Sequence, residues 1–142
     1  AFSNEVMALV DVRMRELVQH VCAAHDMEAE FEFYPGYPPT VNHPEQMALA
    51  RDVMVSIVGE DKVLPQRPTM GAEDFAFMLQ HVPGCYAFIG SGAGDHRGEG
   101  HGPGPCELHN ASYDFNDEVL SLGATYWVRL VEACLPVLAH GA

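Results

Sequence analysis

Val6, Val10, Met14, Leu17 and Val21 recur at the spacing of one helical face, behind the N-cap candidates Ser3 and Asn4 and the first-turn Glu5. This predicts an amphipathic helix running to about Ala24. The period then changes. Glu28, Glu30 and Glu32 alternate with Ala29, Phe31 and Phe33, the two-residue repeat of a strand with one wet face, suited to an antiparallel sheet covered on one side. Between Tyr34 and Pro44 stand four prolines and a glycine, which bar regular pairing and predict an extended connector and a domain boundary. Pro44 opens a second helix with Met47, Ala50, Met54 and Ile57 on one face and Gly59 as its stop. A short strand is expected at Val63 and Leu64, then a helix led in by Thr69–Phe75 and ending near Pro83 and Gly84. The run Cys85–Ile89 is apolar without alternation, as in a strand covered on both faces. Asn116, followed by Asp117 and Glu118, caps a last helix whose stripe is Val119, Leu122, Tyr126, Leu130 and Cys134, up to a break at Pro136.

These elements do not complete one another. The two convincing strands lie on opposite sides of the proline-rich segment and have no evident partner, and a one- or two-stranded sheet is not stable alone in water. The remaining strands are therefore expected from upstream sequence or another chain. The start AFSNEV has neither an initiator Met nor a basic-then-apolar signal sequence, so the sequence reads as part of a longer polypeptide. Its 142 residues are one domain's length, with room for one sizeable core. A formal charge of −13, from 7 Lys and Arg against 20 Asp and Glu, disfavours nucleic acid and acidic membrane surfaces as partners. No apolar run reaches the ~18 residues of a membrane span. The cysteines at 22, 85, 106 and 134 form no C-x-x-C pair, which reads as free thiols in a reducing, cytoplasmic setting. Cys22 and Cys134 are expected in the core.

Candidate chemistry gathers in two places. His96, His101 and His109 fall in or beside the loop Ser91–Glu107, which holds six glycines in seventeen residues, and Cys106 lies three before His109. Loops of that length are usually functional or disordered, and imidazole is the commonest transition-metal ligand. The same histidines read equally as solvated loop residues. At Met70-Gly71-Ala72-Glu73-Asp74 two carboxylates meet a loop-to-helix junction. They read as helix-start acids, or as part of a site where backbone N–H groups hold an anionic substrate group and Gly71 permits close approach. No G-x-S-x-G elbow or phosphate loop is present, and Lys62 is the only lysine, which disfavours serine and amine nucleophiles.

Three segments, YPPTVNHP (37–44), PTMGAEDFAFMLQHVPGCYAFIG (68–90) and LHNASYDFNDEVLSLGATYWVRL (108–130), together resemble the C-terminal part of a family of metal-dependent amidohydrolases. That family includes hippurate hydrolase, N-acyl-L-amino-acid amidohydrolases and plant auxin-conjugate hydrolases, relatives of carboxypeptidase G and succinyl-diaminopimelate desuccinylase. The resemblance implies an α/β zinc-peptidase-like catalytic domain interrupted by an α+β lid that mediates homodimerisation. Residues 1–40 would end the lid, and 41–142 would be the C-terminal portion of the catalytic domain. It implies hydrolysis of the amide of N-acyl amino acids or related small amides at a centre of two divalent metals (zinc, manganese, cobalt or nickel). There a bridging water is deprotonated by a glutamate. On this resemblance His109 is a metal ligand, and Asn42, Gly71, Glu73 and Asp74 contact substrate.

The other ligands and the catalytic glutamate of that family have no counterpart here, and a catalytic zinc site takes about three protein ligands. The chain alone is therefore expected to be inactive without the missing N-terminal part of the catalytic domain. The competing reading is a truncated, non-catalytic binding or structural module holding a metal through His96, His101, Cys106 and His109.

Overall fold

The computed structural model of the chain describes residues 1–97, 106 and 108–135. Four helices follow in order: α1 (Asn4–Ala23), α2 (Pro44–Val58), α3 (Phe75–Leu79) and α4 (Leu120–Cys134), with single 3-10 turns at Glu60–Lys62 and Asp117–Val119. The described residues contain no β-strand, so only the helical half of the expected α/β pattern is formed. Segments 28–33, 63–64 and 85–89 are irregular. A strand is defined by its hydrogen-bonded ladder to a neighbour, and none of the three has such a neighbour among the described residues.

The chain clusters into two compact units, Ala1–Gln46 with Gln66–Tyr86, and Met47–Pro65 with Ala87–Ala142. In the first, Ser3 is extended and its Oγ accepts the Val6 N–H at 3.1 Å, so α1 starts at the expected cap. Its expected stripe is uncovered: Val6, Val10, Met14, Leu17 and Val21 are 36–64% exposed. The half-buried face is instead Met7, Asp11, Val18 and Cys22, because the segment after α1 folds back on that side. Arg15 stacks over the Phe31 ring at 5.4 Å and donates to Phe31 O at 3.1 Å, while Phe33 and Pro35 line a shallow cavity with Met7, Ala8 and Asp11. The alternation survives as exposure over 30–33 only, Ala29 being exposed. Phe31 and Phe33 are half-buried and the three glutamates exposed, without a strand.

The short helix α3 holds the buried residues of this unit, Ala76 and Leu79. It is shorter than the expected helix to Pro83. Gly84 lies against its end so closely that a Cβ there would stand 3.0 Å from Leu79 Cδ2, so a larger residue would require the Leu79 side chain to give way slightly. Phe75 and Tyr86 pack ring to ring at 5.9 Å, and Tyr37 meets Phe77 at 5.7 Å.

In the second unit α2 buries Ala50 and Val53 and half-buries Met54 and Ile57, close to the expected face. It stops at Gly59, whose φ of 87° a side chain would strain. Asn116 caps as expected, though onto the 3-10 turn, its Oδ1 accepting the Glu118 N–H at 3.0 Å. The α4 stripe Val119, Leu122, Tyr126 and Leu130 is half-buried and Cys134 is exposed. On the other side Leu120, Trp127, Val128 and Val131 are 53–68% exposed. Four expectations of burial therefore need correction. Cys134 is on the surface and Cys22 only half-buried; Ala87, Phe88 and Ile89 are exposed where a strand covered on both faces was expected; and the core comprises Ala50, Val53, Ala76 and Leu79 among the described residues. One physical reason serves all four: no described element lies over these faces. All four cysteines are free, and no described helix is long and apolar enough to cross a membrane.

Candidate functional site

The first unit brings together Asn42 and Glu73 through a residue that sequence reasoning did not single out, Tyr86. The Asn42 carboxamide takes both main-chain groups of Tyr86, Nδ2 donating to Tyr86 O at 2.8 Å and Oδ1 accepting the Tyr86 N–H at 2.7 Å. The next residue repeats the pattern on Gly84. The His43 N–H donates to Gly84 O at 3.0 Å, and His43 Nδ1 accepts the Gly84 N–H at 3.2 Å. Residues 42 and 43 thus satisfy the backbone of 84–86 much as a neighbouring strand would, with two side-chain groups in place of main chain. Proline 44 follows at once and cannot extend a ladder, so side chains are the remaining means of pairing.

The Tyr86 phenol donates to Glu73 Oε2 at 2.8 Å, and Glu73 Oε1 lies 3.4 Å from the Phe75 N–H at the start of α3. The hydrogen bond donated by Tyr86 is the largest of the effects that hold the Glu73 carboxyl below its ordinary range. The same pairing pushes the Tyr86 phenol up. Asp74 is the N-cap residue of α3 by position but makes no side-chain cap hydrogen bond. Of the two readings of these acids, helix-start chemistry is realised only weakly, through Glu73. Gly71 is exposed, and a Cβ there would meet only Thr69 Oγ1, at an ordinary 3.7 Å. Nothing within the described chain requires glycine at that position.

The second unit carries His109. It is exposed, lies in a turn at φ 70°, and makes no hydrogen bond with any described residue. A non-glycine residue in the left-handed region is uncommon, though histidine enters it more readily than most. The turn is braced on its C-terminal side. Asn110 Oδ1 accepts the Ser112 N–H at 2.8 Å and Asn110 O accepts the Tyr113 N–H at 3.0 Å. His96 Nε2 pairs with Asp114 O at 3.1 Å, and Arg97 reaches Ser112 O at 2.6 Å and Cys106 Sγ at 3.2 Å. Ser91 Oγ meets the Tyr113 hydroxyl at 3.1 Å, and Asn116 Nδ2 donates to Ser91 O at 3.2 Å. His96 through Nε2 and Cys106 through Sγ help hold the segment, while His96 Nδ1 is buried without a hydrogen-bond partner. His101 lies outside the described residues, and among those described no three His, Cys, Asp or Glu side chains stand together as a metal site. His109 alone fits one position of a metal's coordination shell, leaving the other ligands to come from elsewhere.

Tyr86 was legible in one respect. A hydroxyl inside the apolar run Cys85–Ile89 needs a partner when it packs, and the acids at 73 and 74 were among the polar candidates in the surrounding sequence. No sequence signal pointed to the His43–Gly84 pairing.

Residues 4–133 match the sequence profile of Peptidase family M20/M25/M40. Among curated proteins the chain is similar to a hippurate hydrolase of Campylobacter jejuni, 28% identical over 131 residues, which is 92% of this chain and 31% of that protein. It is similar to an N-acetyl-L-cysteine deacetylase of Bacillus subtilis at 33% over 127 residues, 89% of this chain and 27% of the relative. It is also similar to thermostable carboxypeptidase 1 of Saccharolobus solfataricus at 36% over 114 residues, 78% and 26% of the respective chains. The chain thus spans between a quarter and a third of the length of these relatives. No solved structure matches it.

Proposed function

The chain belongs to Peptidase family M20/M25/M40, and from that premise we propose that it is the C-terminal portion of a metal-dependent amidohydrolase cleaving N-acyl amino acids or related small amides. In this reading residues 1–40 end a lid domain through which two copies of the enzyme pair, and 41–142 return to the catalytic domain. One observation carries the proposal: the family match spans every candidate residue, Asn42, Gly71, Glu73, Asp74 and His109. Relatives that match most of the chain are named a hippurate hydrolase, an N-acetyl-L-cysteine deacetylase and a thermostable carboxypeptidase.

His109 would be one ligand of the divalent metal pair (zinc, manganese, cobalt or nickel), the other ligands and the general base coming from sequence outside this chain. The metals supply Lewis acidity toward the amide carbonyl and an activated water. The exposed imidazole, engaged by no described residue, supports that role, because a ligand must offer a free nitrogen lone pair. Gly71, Glu73 and Asp74 would face the substrate at the start of α3, and Asn42 would hold the wall on which Tyr86 stands.

The test is an assay of the complete polypeptide that carries this chain against hippurate and a panel of N-acetyl amino acids. We expect hydrolysis that chelator abolishes and added zinc, manganese, cobalt or nickel restores. Full activity after exhaustive chelation, or no turnover of any N-acyl amino acid or peptide with metal present, contradicts the proposal.

A further inference from the structure

Three residues in the first unit form one chain of contacts: the Asn42 carboxamide on both main-chain groups of Tyr86, and the Tyr86 phenol on Glu73 Oε2 at 2.8 Å. The ring of Tyr86 is fixed a second time by Phe75 at 5.9 Å. The phenol therefore approaches Glu73 from a body anchored at its main chain and at its ring. A half-buried carboxylate outside any helix would otherwise sample several rotamers, at an entropic cost each time a ligand selected one.

We propose that Tyr86, clamped by Asn42, is a positioning residue that sets the Glu73 carboxylate to accept a hydrogen bond from an N–H group of the substrate. This rests on the amidohydrolase reading for its substrate but not for its geometry. The polarity follows from the groups present. Glu73 receives a donor from Tyr86, and its titratable neighbours are Tyr86 and Asp74, so the local charge is negative. A substrate carboxylate would be repelled there, whereas an amide N–H finds a lone pair already aimed. Asn42 acts through Tyr86, its carboxamide bonding both Tyr86 main-chain groups.

Two measurements test this. The first follows the Glu73 carboxyl carbon by NMR titration in the chain, with wild type compared with Tyr86→Phe. Phenylalanine keeps the ring packing and the main-chain clamp and removes only the hydroxyl, and the Glu73 midpoint should move up toward the ordinary carboxylate range. An unmoved midpoint overturns the positioning role, whatever the enzyme's substrate proves to be. The second measures KM and kcat on an N-acyl amino acid with the complete enzyme. Tyr86→Phe should raise KM ~3–10-fold with kcat within about twofold, the size expected when one ordinary hydrogen bond is lost. The same substitution made in a Glu73→Gln background should add almost nothing. Independent, additive effects, or a shifted Glu73 midpoint with unchanged KM, remove Glu73 from the substrate. Should wild type turn over no N-acyl amino acid, the amidohydrolase reading fails while the titration still decides the positioning.

Discussion

The hinge at Asn42 and the turn at His109 treat their polar side chains in opposite ways. Asn42 is half-buried and both ends of its carboxamide are bound to the main chain of Tyr86. His109 is exposed, sits at φ 70°, and is engaged by no described residue although its neighbours are tied down by Asn110, Arg97 and His96. The first side chain completes the fold. The second is carried on a backbone conformation of sparse population with no return within the described chain, and such conformations persist where surroundings or function demand them. Two residues drawn from the same family resemblance therefore divide into a group that organises its surroundings and a group available to an outside partner.

The largest effect expected concerns what neither region supplies. The 142-residue chain purified alone should show no turnover of hippurate or N-acetyl amino acids, since on the proposed reading it supplies one metal ligand and no general base. Chelator-sensitive hydrolysis that co-purifies with the chain through several columns would erase the distinction drawn here between a residue awaiting partners and a complete site.

At the hinge the comparison sharpens on stability. Asn42→Ala leaves the Tyr86 N–H and carbonyl without their partner and should cost about 1–3 kcal/mol in urea unfolding. Asn42→Asp should cost a similar amount, because a carboxylate accepts from the Tyr86 N–H but cannot donate to its carbonyl. If Asn42→Asp is neutral, the clamp is not what holds Tyr86.

Gly71→Ala should be nearly silent in stability, within about 0.5 kcal/mol of wild type or slightly more stable, because the added Cβ meets only Thr69 Oγ1 at 3.7 Å. In the complete enzyme the same change should raise KM. A clear loss of stability with unchanged KM would move Gly71 from the substrate to the fold.

The smallest effect is in pH. The folded-state pKa of Glu73 is lowered, so the stabilisation from its ionised form is present above the ordinary carboxylate range. It is lost as pH falls through the depressed folded value. The stability difference between wild type and Glu73→Gln should accordingly shrink on acidification from neutral pH, and Glu73 being only half-buried, it should be small throughout. A difference that grows toward low pH would contradict the Tyr86 contact.

Helices were the readable part of the sequence, because their hydrogen bonds close within the segment that encodes them. Ser3, Pro44, Gly59 and Asn116 each do locally what their chemistry suggested. Strands were not, since the patterns at 28–33 and 85–89 specify faces that wait for partners beyond the described residues. The alternation at Phe31 and Phe33 still governs exposure, as a pattern of affinities without a ladder. The apolar stripes of α1 and α4 were legible as positions but not as buried surface, because burial belongs to the element that covers them. Within the candidate site, the family resemblance pointed to Asn42, Glu73 and His109, whereas Tyr86, which joins the first two, depends on a contact across 44 residues. A periodicity reading cannot see that contact.

The account turns most directly on His109. Metal content per active site and hydrolysis rate, measured together on the complete enzyme as wild type and His109→Ala, test it in a single preparation. Loss of one of few ligands should lower bound metal and abolish turnover, with far-UV circular dichroism and unfolding midpoint near wild type, since no described contact is removed. Undiminished metal with normal turnover in His109→Ala would contradict the assignment of this chain's part in catalysis.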